Sequence, residues 1–321
     1  MTIDTPLVAA GSFIGQAEKE VSLKSRPSKF HGCYDRATPV RFGDYRGWVS
    51  QRYLEHGFQP ALHAFLTGGT HPQQAVKSRR DSQVYRFDYK GDTFYVKQYP
   101  INGVKAFLLS FFGQNKAQKT WRFARLLLAK GLSTPPPVFY VLRNITCMKS
   151  EHMVGTLGID RSISLRDFIQ SHFKPGNVST SDKRRFIKKL AVFMARLHLA
   201  GIYHGDLTAR NIIVKPAGDV YESQLYLIDL DAIRSTRWIS DRRRVKNLDE
   251  LGRNFLDLSI VDGLDRACFL KHYLGTYTRD RWGFRSSMER IQARTGYRLE
   301  RHGQQFHKTG KRKASGHDDR S

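Results

Sequence analysis

The polar loop within "GIYHGDLTARNIIV", residues 201–214, constrains the fold more than any other part of the chain. It follows a helical pattern of apolar residues and precedes a short apolar run that is typical of a strand. His204, Asp206 and Asn211 are therefore expected in one loop between a helix and a strand. A second apolar run, "LYLIDLD", brings Asp229 after another strand. The sequence thus predicts a helix, a polar loop and two short strands, in that order.

These polar residues suit the transfer of a phosphoryl group. The reaction needs positive charge at phosphate oxygens and a carboxylate that accepts the proton of the attacking hydroxyl, but no covalent nucleophile. The spacing of Asp206 and Asn211 matches the protein-kinase catalytic loop. We predict Asp206 as the catalytic residue, with Asn211 and Asp229 as magnesium ligands. The alternatives are structural: a turn cap for Asp206, a loop hydrogen bond for Asn211 and a helix cap for Asp229.

A β-hairpin is predicted over residues 82–99, "SQVYRFDYKGDTFYVKQY". Aromatic and β-branched residues flank a turn at residues 90–92, and such residues favour strands. The hairpin places Lys97 at the end of a strand, where its ammonium group can reach the phosphates of ATP. An ordinary surface lysine is the alternative.

The hairpin is followed by a predicted helix over residues 115–131, which Gly131 ends, and by two strand-like runs. We expect the chain to change lobes near Glu151, and we assign Glu151 and Met153, at this change, to nucleotide binding. The clearest helix follows, with Ser181 or Thr180 as its cap and Gly201 at its end.

Four segments are predicted along the chain. Residues 1–60 are an N-terminal extension, residues 61–151 an N-lobe, and residues 152–300 a C-lobe that carries the catalytic loop. Residues 301–321 are predicted to be a disordered basic tail, because they are polar and charged.

The net charge of +25 is the most unusual bulk property. It favours polyanionic partners such as nucleic acid, an anionic membrane surface or a phosphorylated glycolipid, and a solvated basic surface without a dedicated partner is the alternative. No apolar run reaches the roughly eighteen residues of a transmembrane helix, and the N-terminus lacks the basic region of an export signal, so we expect a cytoplasmic protein. The three scattered cysteines indicate neither a disulfide framework nor a zinc site.

Four stretches, "YVKQY", "TWRFARLLLAKGLSTPPPV", "HGDLTARNIIV" and "LYLIDLDAIR", resemble the lipopolysaccharide kinase family, the Kdo and heptose kinases of the protein-kinase-like superfamily. The resemblance covers roughly residues 75–260. It implies an α+β, bilobal protein-kinase-like fold, with a small antiparallel-sheet N-lobe carrying one main helix and a mainly helical, shortened C-lobe.

The resemblance also implies a function. The cofactors would be ATP and Mg²⁺, and the acceptor a sugar hydroxyl, on Kdo or heptose, of the lipopolysaccharide inner core at the cytoplasmic face of the inner membrane. His204 would support the loop, and Asp231 would assist at the metal position. Gly205 stands where the kinase motif "HRD" has arginine, so control by a phosphorylated activation loop is not expected.

The chain departs from the kinase pattern in two places. No glycine-rich GxGxxG loop precedes Lys97, and residues 68–84 are the candidate cover for the phosphates. The possible charge partners in that cover are Lys77, Arg79 and Arg80. The helix reads Thr-Trp at residues 120–121, where similar sequences read Glu-Trp. Either another acid, for example one in the N-terminal segment, pairs with Lys97, or the ion pair is absent.

Several basic or apolar segments bear on the acceptor. "VKAFLLSFFG", residues 104–113, has the composition of a membrane-interface segment, although a buried N-lobe helix is the alternative. The candidates for binding acidic groups of the acceptor are Arg234, Arg237 and residues 242–244, with an exposed basic face as the alternative. No "APE" sequence follows Asp229, which favours a small or glycolipid acceptor over a peptide.

Two rival functions remain open at this level. One is an atypical protein kinase of the RIO or Bud32 type, and the other is a non-catalytic basic pseudokinase that binds a membrane or a partner. No aromatic RNA-binding motif occurs, so we expect no sequence-specific nucleic-acid partner. No feature of the sequence indicates an oligomeric state.

Overall fold

A seven-stranded antiparallel sheet forms the N-lobe. In this computed structural model the described residues are 36–54, 57–68, 75–79, 81–104, 108, 115–146, 149–174, 176–255 and 260–276. The strands are β1 (Ala37–Phe42), β2 (Tyr45–Ser50), β3 (Ala75–Arg79), β4 (Ser82–Tyr89), β5 (Asp92–Asn102), β6 (Pro137–Thr146) and β7 (Lys149–Leu157). They pair in the order β1-β2-β6-β7-β5-β4-β3.

The predicted hairpin is strands β4 and β5. Lys90 and Gly91 both have positive φ, 48° and 82°, as a tight turn between twisted strands requires. Lys97 does not end its strand, because β5 continues to Asn102. It pairs instead with residues of both neighbouring strands, Val84 and Val154, in the interior of the sheet.

One face of the sheet packs against the main N-lobe helix, α3 (Lys116–Ala129). Asn115 caps this helix by accepting hydrogen bonds from the backbone N–H groups of residues 117 and 118. Gly131, with φ of 66°, ends it as predicted. Tyr99 and Val154 are buried against Trp121 on this face.

The opposite face packs against two short helices, α1 (Gln51–Leu54) and α2 (Phe58–Thr67). Its core contains Phe58 and Leu62 of α2 together with Phe94 and Val96 of β5. The first two strands and both helices therefore complete the N-lobe, although the sequence assigned residues 1–60 to an extension outside it. β1 and β2 belong to this sheet because β1 pairs with β2 and β2 pairs with β6.

The change of lobes also lies later than predicted. β7 pairs with β5 up to Leu157, so Glu151 lies inside the sheet. The next strand, β8 (Ile163–Ser164), pairs with a C-lobe strand, β10 (Ile212–Lys215). Residues 158–162 therefore connect the lobes.

The C-lobe is mainly helical, as expected. Its helices are α4 (Leu165–His172), α5 (Thr180–Leu199), α6 (Asp241–Arg253) and α7 (Gly263–Thr276). Its remaining strands are β9 (Ile202–His204), β11 (Gln224–Leu227) and β12 (Ile233–Ser235). The cap of α5 is Ser179 rather than Ser181 or Thr180, because the Ser179 hydroxyl accepts a hydrogen bond from the Asp182 N–H at 3.0 Å.

Some predictions fall on other parts of the chain. Most of residues 104–113, Arg80 and the basic tail at 301–321 lie outside the described residues. Within the described residues, the helices are all too short or too polar to cross a membrane.

Candidate active site

The hairpin of β10 and β11 brings two of the predicted site residues side by side. Ile212 pairs with Leu227, so the residue before β10 and the residues after β11 meet at one end of the hairpin. There the Ile228 N–H donates a hydrogen bond to the Asn211 carbonyl at 2.9 Å. The segment after α3 fixes β11 from the other side, since the Thr134 hydroxyl donates to the Leu227 carbonyl at 2.7 Å. Asn211 and Asp229 are thus neighbours through backbone pairing.

Asp229 has an unusual backbone conformation, with φ of 61° and ψ of 51°. Residues other than glycine rarely adopt this left-handed region, and such strain is concentrated at functional sites. Its Oδ1 lies 2.5 Å from the Lys97 Nζ. The N-lobe sheet and the C-lobe hairpin therefore meet at this ion pair.

Asp206 lies in the loop after β9 and is exposed, as a group that meets an acceptor must be. The Asn211 amide nitrogen donates to the Asp206 backbone carbonyl at 2.7 Å and to its Oδ2 at 3.5 Å. Neither hydrogen bond uses the Asn211 amide oxygen. The structure therefore brings Lys97, Asp206, Asn211 and Asp229 together, as the sequence predicts.

His204 joins the catalytic loop to the strand end that carries Asp229. Its Nδ1 accepts a hydrogen bond from the Asp206 N–H at 3.2 Å, and its Nε2 lies 3.3 Å from the Ile228 carbonyl. A carbonyl only accepts, so Nε2 carries the proton and the ring is neutral. Burial lowers the pKa of His204, which favours the same neutral form. His204 thus orients two neighbouring backbone segments at once.

Asn247 of α6 holds the backbone of His204 from behind. Its side chain accepts from the His204 N–H at 3.2 Å and donates to the His204 carbonyl at 2.5 Å. The Asn247 Oδ1 also accepts from the His198 Nε2 at 3.3 Å, and the Tyr273 hydroxyl donates to the His198 Nδ1 at 2.7 Å. All these groups are buried. The sequence pattern gave no signal for Asn247, because the contact spans 43 residues.

The acidic partners of Lys97 lie in the C-lobe. Besides Asp229, its Nζ lies 3.3 Å from the Asp231 Oδ2, which also accepts a hydrogen bond from the Tyr99 hydroxyl at 3.3 Å. Burial lowers the pKa of Lys97, but Tyr99 and the two carboxylates more than offset it, so the pKa lies above its usual value. The ion pair left in question by the missing helix glutamate is therefore present, with acids that follow β11.

Helix α3 is connected to the site by a lysine. The Lys119 Nζ donates a hydrogen bond to the Asp231 backbone carbonyl at 2.7 Å. Residue 120, the position of the expected glutamate, is a buried threonine. Neither Lys119 nor Tyr99 was singled out from the sequence. Tyr99 is two residues from Lys97 and therefore shares its face of the strand, a signal that alternation does provide.

Gly205, at the arginine position of "HRD", lies against the turn that follows Asp229. Its N–H donates to the Ala232 carbonyl at 3.1 Å. A Cβ on Gly205 would lie 2.8 Å from that oxygen, closer than side chains approach backbone. The loop at this point is thus packed against backbone, with no space for an arginine side chain.

Glu151 and Met153 lie on the opposite face of the sheet from Lys97. Lys97 pairs with Val154, so residues 151 and 153 point to the opposite side. Met153 is buried in the core beneath α1 and α2. Glu151 accepts hydrogen bonds from Tyr45, at 2.7 Å, and from Gln98. The structure therefore does not bring these two side chains together with Lys97, contrary to their shared assignment to one nucleotide site.

The three arginines at 242–244 are part of α6. Arg244 is buried and forms an ion pair with Asp241 of its own helix, so it does not serve an acceptor. Arg243 lies over the ring of Tyr203 at 5.6 Å. Arg234 remains exposed on β12, close to the site in sequence.

The donor set at the site is oxygen-rich. Among the described residues, no cluster of three or more His, Cys, Asp or Glu side chains is arranged to hold a metal. Mg²⁺ in phosphoryl-transfer sites is held by only one or two carboxylates together with phosphate oxygens. The Asp229 carboxylate and the Asn211 amide oxygen fit that requirement.

Comparison with known proteins identifies the family. The model of the Lipopolysaccharide kinase (Kdo/WaaP) family matches residues 73–273, more than half of the chain. No curated protein matches the sequence. The solved structure of WaaP in complex with acyl carrier protein is similar, with 21% identity and a TM-score of 0.55 over 76% of this chain and 96% of that chain. The BubR1 kinase domain matches at 12% identity and a TM-score of 0.38, over 71% of this chain and 60% of that chain.

The similarity to WaaP shows a shared fold, which together with the family match confirms the predicted protein-kinase-like fold class. The chain belongs to the lipopolysaccharide kinase (Kdo/WaaP) family and is a phosphotransferase with an alcohol group as acceptor.

Proposed function

We propose that this kinase uses ATP and Mg²⁺ to phosphorylate a sugar hydroxyl, on Kdo or heptose, of the lipopolysaccharide inner core. The observation that carries the proposal is the convergence of Lys97, Asp206, Asn211 and Asp229 from both lobes. Kinase catalysis consists mainly of positioning and charge neutralisation, and these are the side chains that it requires.

Each residue has a separate role in this proposal. The Lys97 ammonium group binds phosphate oxygens, and Asp229 with Asn211 holds the magnesium ion. The ion supplies charge neutralisation on the transferred phosphoryl group when it is bound. Asp206 orients the acceptor hydroxyl and accepts its proton. His204 and Asn247 position the loop.

The acceptor and its location follow from the family and the charge. A chain with a net charge of +25 is attracted to a glycolipid that bears acidic groups and to an anionic membrane surface. We therefore propose that the protein works at the cytoplasmic face of the inner membrane. The pseudokinase alternative loses its main support, because the acids Asp229 and Asp231 pair with Lys97.

The test is transfer of radiolabelled γ-phosphate from Mg-ATP to purified, under-phosphorylated lipopolysaccharide and, separately, to mixed cytosolic protein. We expect label on the glycolipid with the wild type and a loss of at least about 1,000-fold with Asp206→Asn. Asp219→Asn, a change of the same kind outside the site, is the matched control and should retain activity. Label on cytosolic protein only would favour the atypical protein kinase, and bound nucleotide without any transfer would favour the pseudokinase.

A further inference from the structure

A cavity of about 500 Å³ opens between helix α3 and strand β12, beside the candidate active site. Its lining combines apolar stems with cationic heads, and no acidic residue occurs among the described side chains that line it. The lining residues are Lys119, Trp121, Arg122, Phe123, Arg125, Leu126 and Ser235. The mechanism proposed above uses none of its arginines.

The positive charge at this cavity is concentrated. Among the described residues no acid forms a salt bridge with Arg122, which is exposed at the cavity mouth. Burial and the charges of Arg234 and Lys116 lower the pKa of Lys119, although Asp231 acts in the opposite direction. Arg234 is therefore close enough to add to the field. An anion placed here would meet the positive charges of Lys119, Arg122 and Arg125.

The cavity is connected to the reacting groups on two sides. Lys119, in its wall, donates to the carbonyl of Asp231, whose carboxylate pairs with Lys97. Ser235, in the opposite wall, pairs with Ile202 of β9, the strand that leads into the loop of Asp206. A ligand that fills this cavity is thus adjacent to the phosphoryl-transfer site without occupying it.

A second cavity of about 340 Å³ continues the first around α3. The two share Trp121, Arg122 and Arg125, and the second adds the exposed Trp48 and the Tyr140 ring. The Arg125 guanidinium lies 5.5 Å from the centre of the Trp121 ring, which holds it in place by a cation–π contact. The shared residues make one groove, which combines cationic groups with the exposed ring of Trp48, whereas the rings of Trp121 and Tyr140 are buried.

We propose that this groove, the α3 groove, binds an anionic saccharide portion of the acceptor and presents its hydroxyl to Asp206. The proposal rests on the proposed function, because it assigns the acceptor of that same reaction. Guanidinium groups pair with carboxylates and phosphates in a bidentate manner, and both groups can occur on acidic sugars. The exposed ring of Trp48 offers an apolar face to the C–H surface of a sugar ring.

The experiment measures binding of delipidated inner-core oligosaccharide to the full chain by calorimetry, without nucleotide. The variant is Arg122→Gln/Arg125→Gln, and the matched control is Arg184→Gln/Lys188→Gln, which removes the same charge from the exposed face of α5. We expect the dissociation constant to rise about 10- to 100-fold in the groove variant and less than about twofold in the control. Arg122→Lys/Arg125→Lys should recover only part of the affinity, because lysine keeps the positive charge but cannot form the bidentate hydrogen bonds of a guanidinium group.

Chemical treatment of the oligosaccharide identifies which anionic group the groove binds. If dephosphorylation removes the difference between the wild type and the groove variant, the group is a phosphate. If carboxyl reduction removes it, the group is a carboxylate. Either result supports the proposal, whereas a difference between the wild type and the groove variant that persists after both treatments overturns it. If the groove variant loses binding to anionic vesicles while its affinity for the oligosaccharide is unchanged, the groove is a membrane contact. That result also overturns the proposal.

The same protein preparations are assayed for γ-phosphate transfer, which separates the two proposals. Groove-dependent binding without transfer contradicts the proposed kinase reaction but supports the saccharide site. Transfer with equal KM for the acceptor in the wild type and the groove variant overturns the site and leaves the kinase function intact. No oligosaccharide binding by the wild type also overturns the site.

Discussion

Lys119 of helix α3 donates a hydrogen bond to the backbone carbonyl of Asp231, two residues beyond the predicted magnesium ligand Asp229. This contact links the helix to the site in a chain whose helix lacks the expected glutamate. It fixes the turn that carries both acids of Lys97. The position of helix α3 is therefore coupled to the position of Asp231 through Lys119.

Replacing this lysine is expected to impair turnover more than folding. Lys119→Met should lower kcat by about tenfold, because a hydrogen bond from a charged donor is worth roughly 1.5–3 kcal/mol. Lys116→Met is the matched control, since Lys116 pairs with Asp81 at the exposed start of the same helix. Steady-state kinetics with ATP and glycolipid measure the effect. Equal kcat in both variants would show that the contact does not position Asp231.

Asn247 should contribute strongly to stability. Asn247→Leu leaves the buried N–H and carbonyl of His204 without partners, so the free energy of unfolding should fall by about 2–4 kcal/mol. Asn247→Asp keeps an acceptor for the N–H but loses the donor to the carbonyl, and we expect an intermediate loss. Urea unfolding measures both, and an unchanged midpoint in the leucine variant would contradict this role.

Gly205 is expected to tolerate no side chain. Gly205→Ala forces its Cβ towards the Ala232 carbonyl, so the loop of Asp206 must shift away from the turn after Asp229. We predict a fall in kcat of tenfold or more with little change in circular dichroism. Gly218→Ala is the control, because its Cβ would meet no atom within 4 Å among the described residues. Matching kinetics of the two variants would refute the prediction.

Acid should destabilise the folded chain. Burial lowers the pKa of His152 and of His198 to about 4, below the usual histidine value of about 6.5. The unfolded chain therefore binds more protons between these values. Stability is fully present above about pH 6.5 and is lost as the pH falls towards 4, by roughly 2 kcal/mol per histidine at pH 5.

The check is urea unfolding at pH 7.5 and 5.0 with His198→Gln. Glutamine retains an acceptor for Tyr273 and a donor for Asn247, but it does not titrate. The variant should lose less stability on acidification than the wild type does. An identical loss would mean that His198 is not a source of the pH dependence.

Sequence reasoning brought residues together correctly where they lie close in the sequence or on paired strands. Asp206 and Asn211 are five residues apart, and Asp229 follows the paired strand, so spacing alone brought them together. The hairpin before Lys97 and the long helix α5 were also visible, because turn residues and periodicity are short-range signals.

Sequence reasoning failed where the contact depends on the register between strands that lie far apart in the sequence. Whether Met153 and Glu151 face Lys97 depends on which residue of β7 pairs with it, and this is a property of the assembled sheet. The partnership of Lys97 with Asp231 joins residues 134 positions apart, and no local pattern encodes it. The acid that the helix lacks was therefore sought in the wrong part of the chain.

The strands and helices before residue 68 have a consequence for work with shorter fragments. The family match begins at residue 73, yet β1 and β2 complete the sheet, and α1 and α2 cover one of its faces. A fragment cut to residues 73–273 would leave β6 as a bare edge strand and expose the aromatic surface around Phe94, two features that favour aggregation. The stretch that is recognisable as a kinase is thus smaller than the stretch that can fold as one.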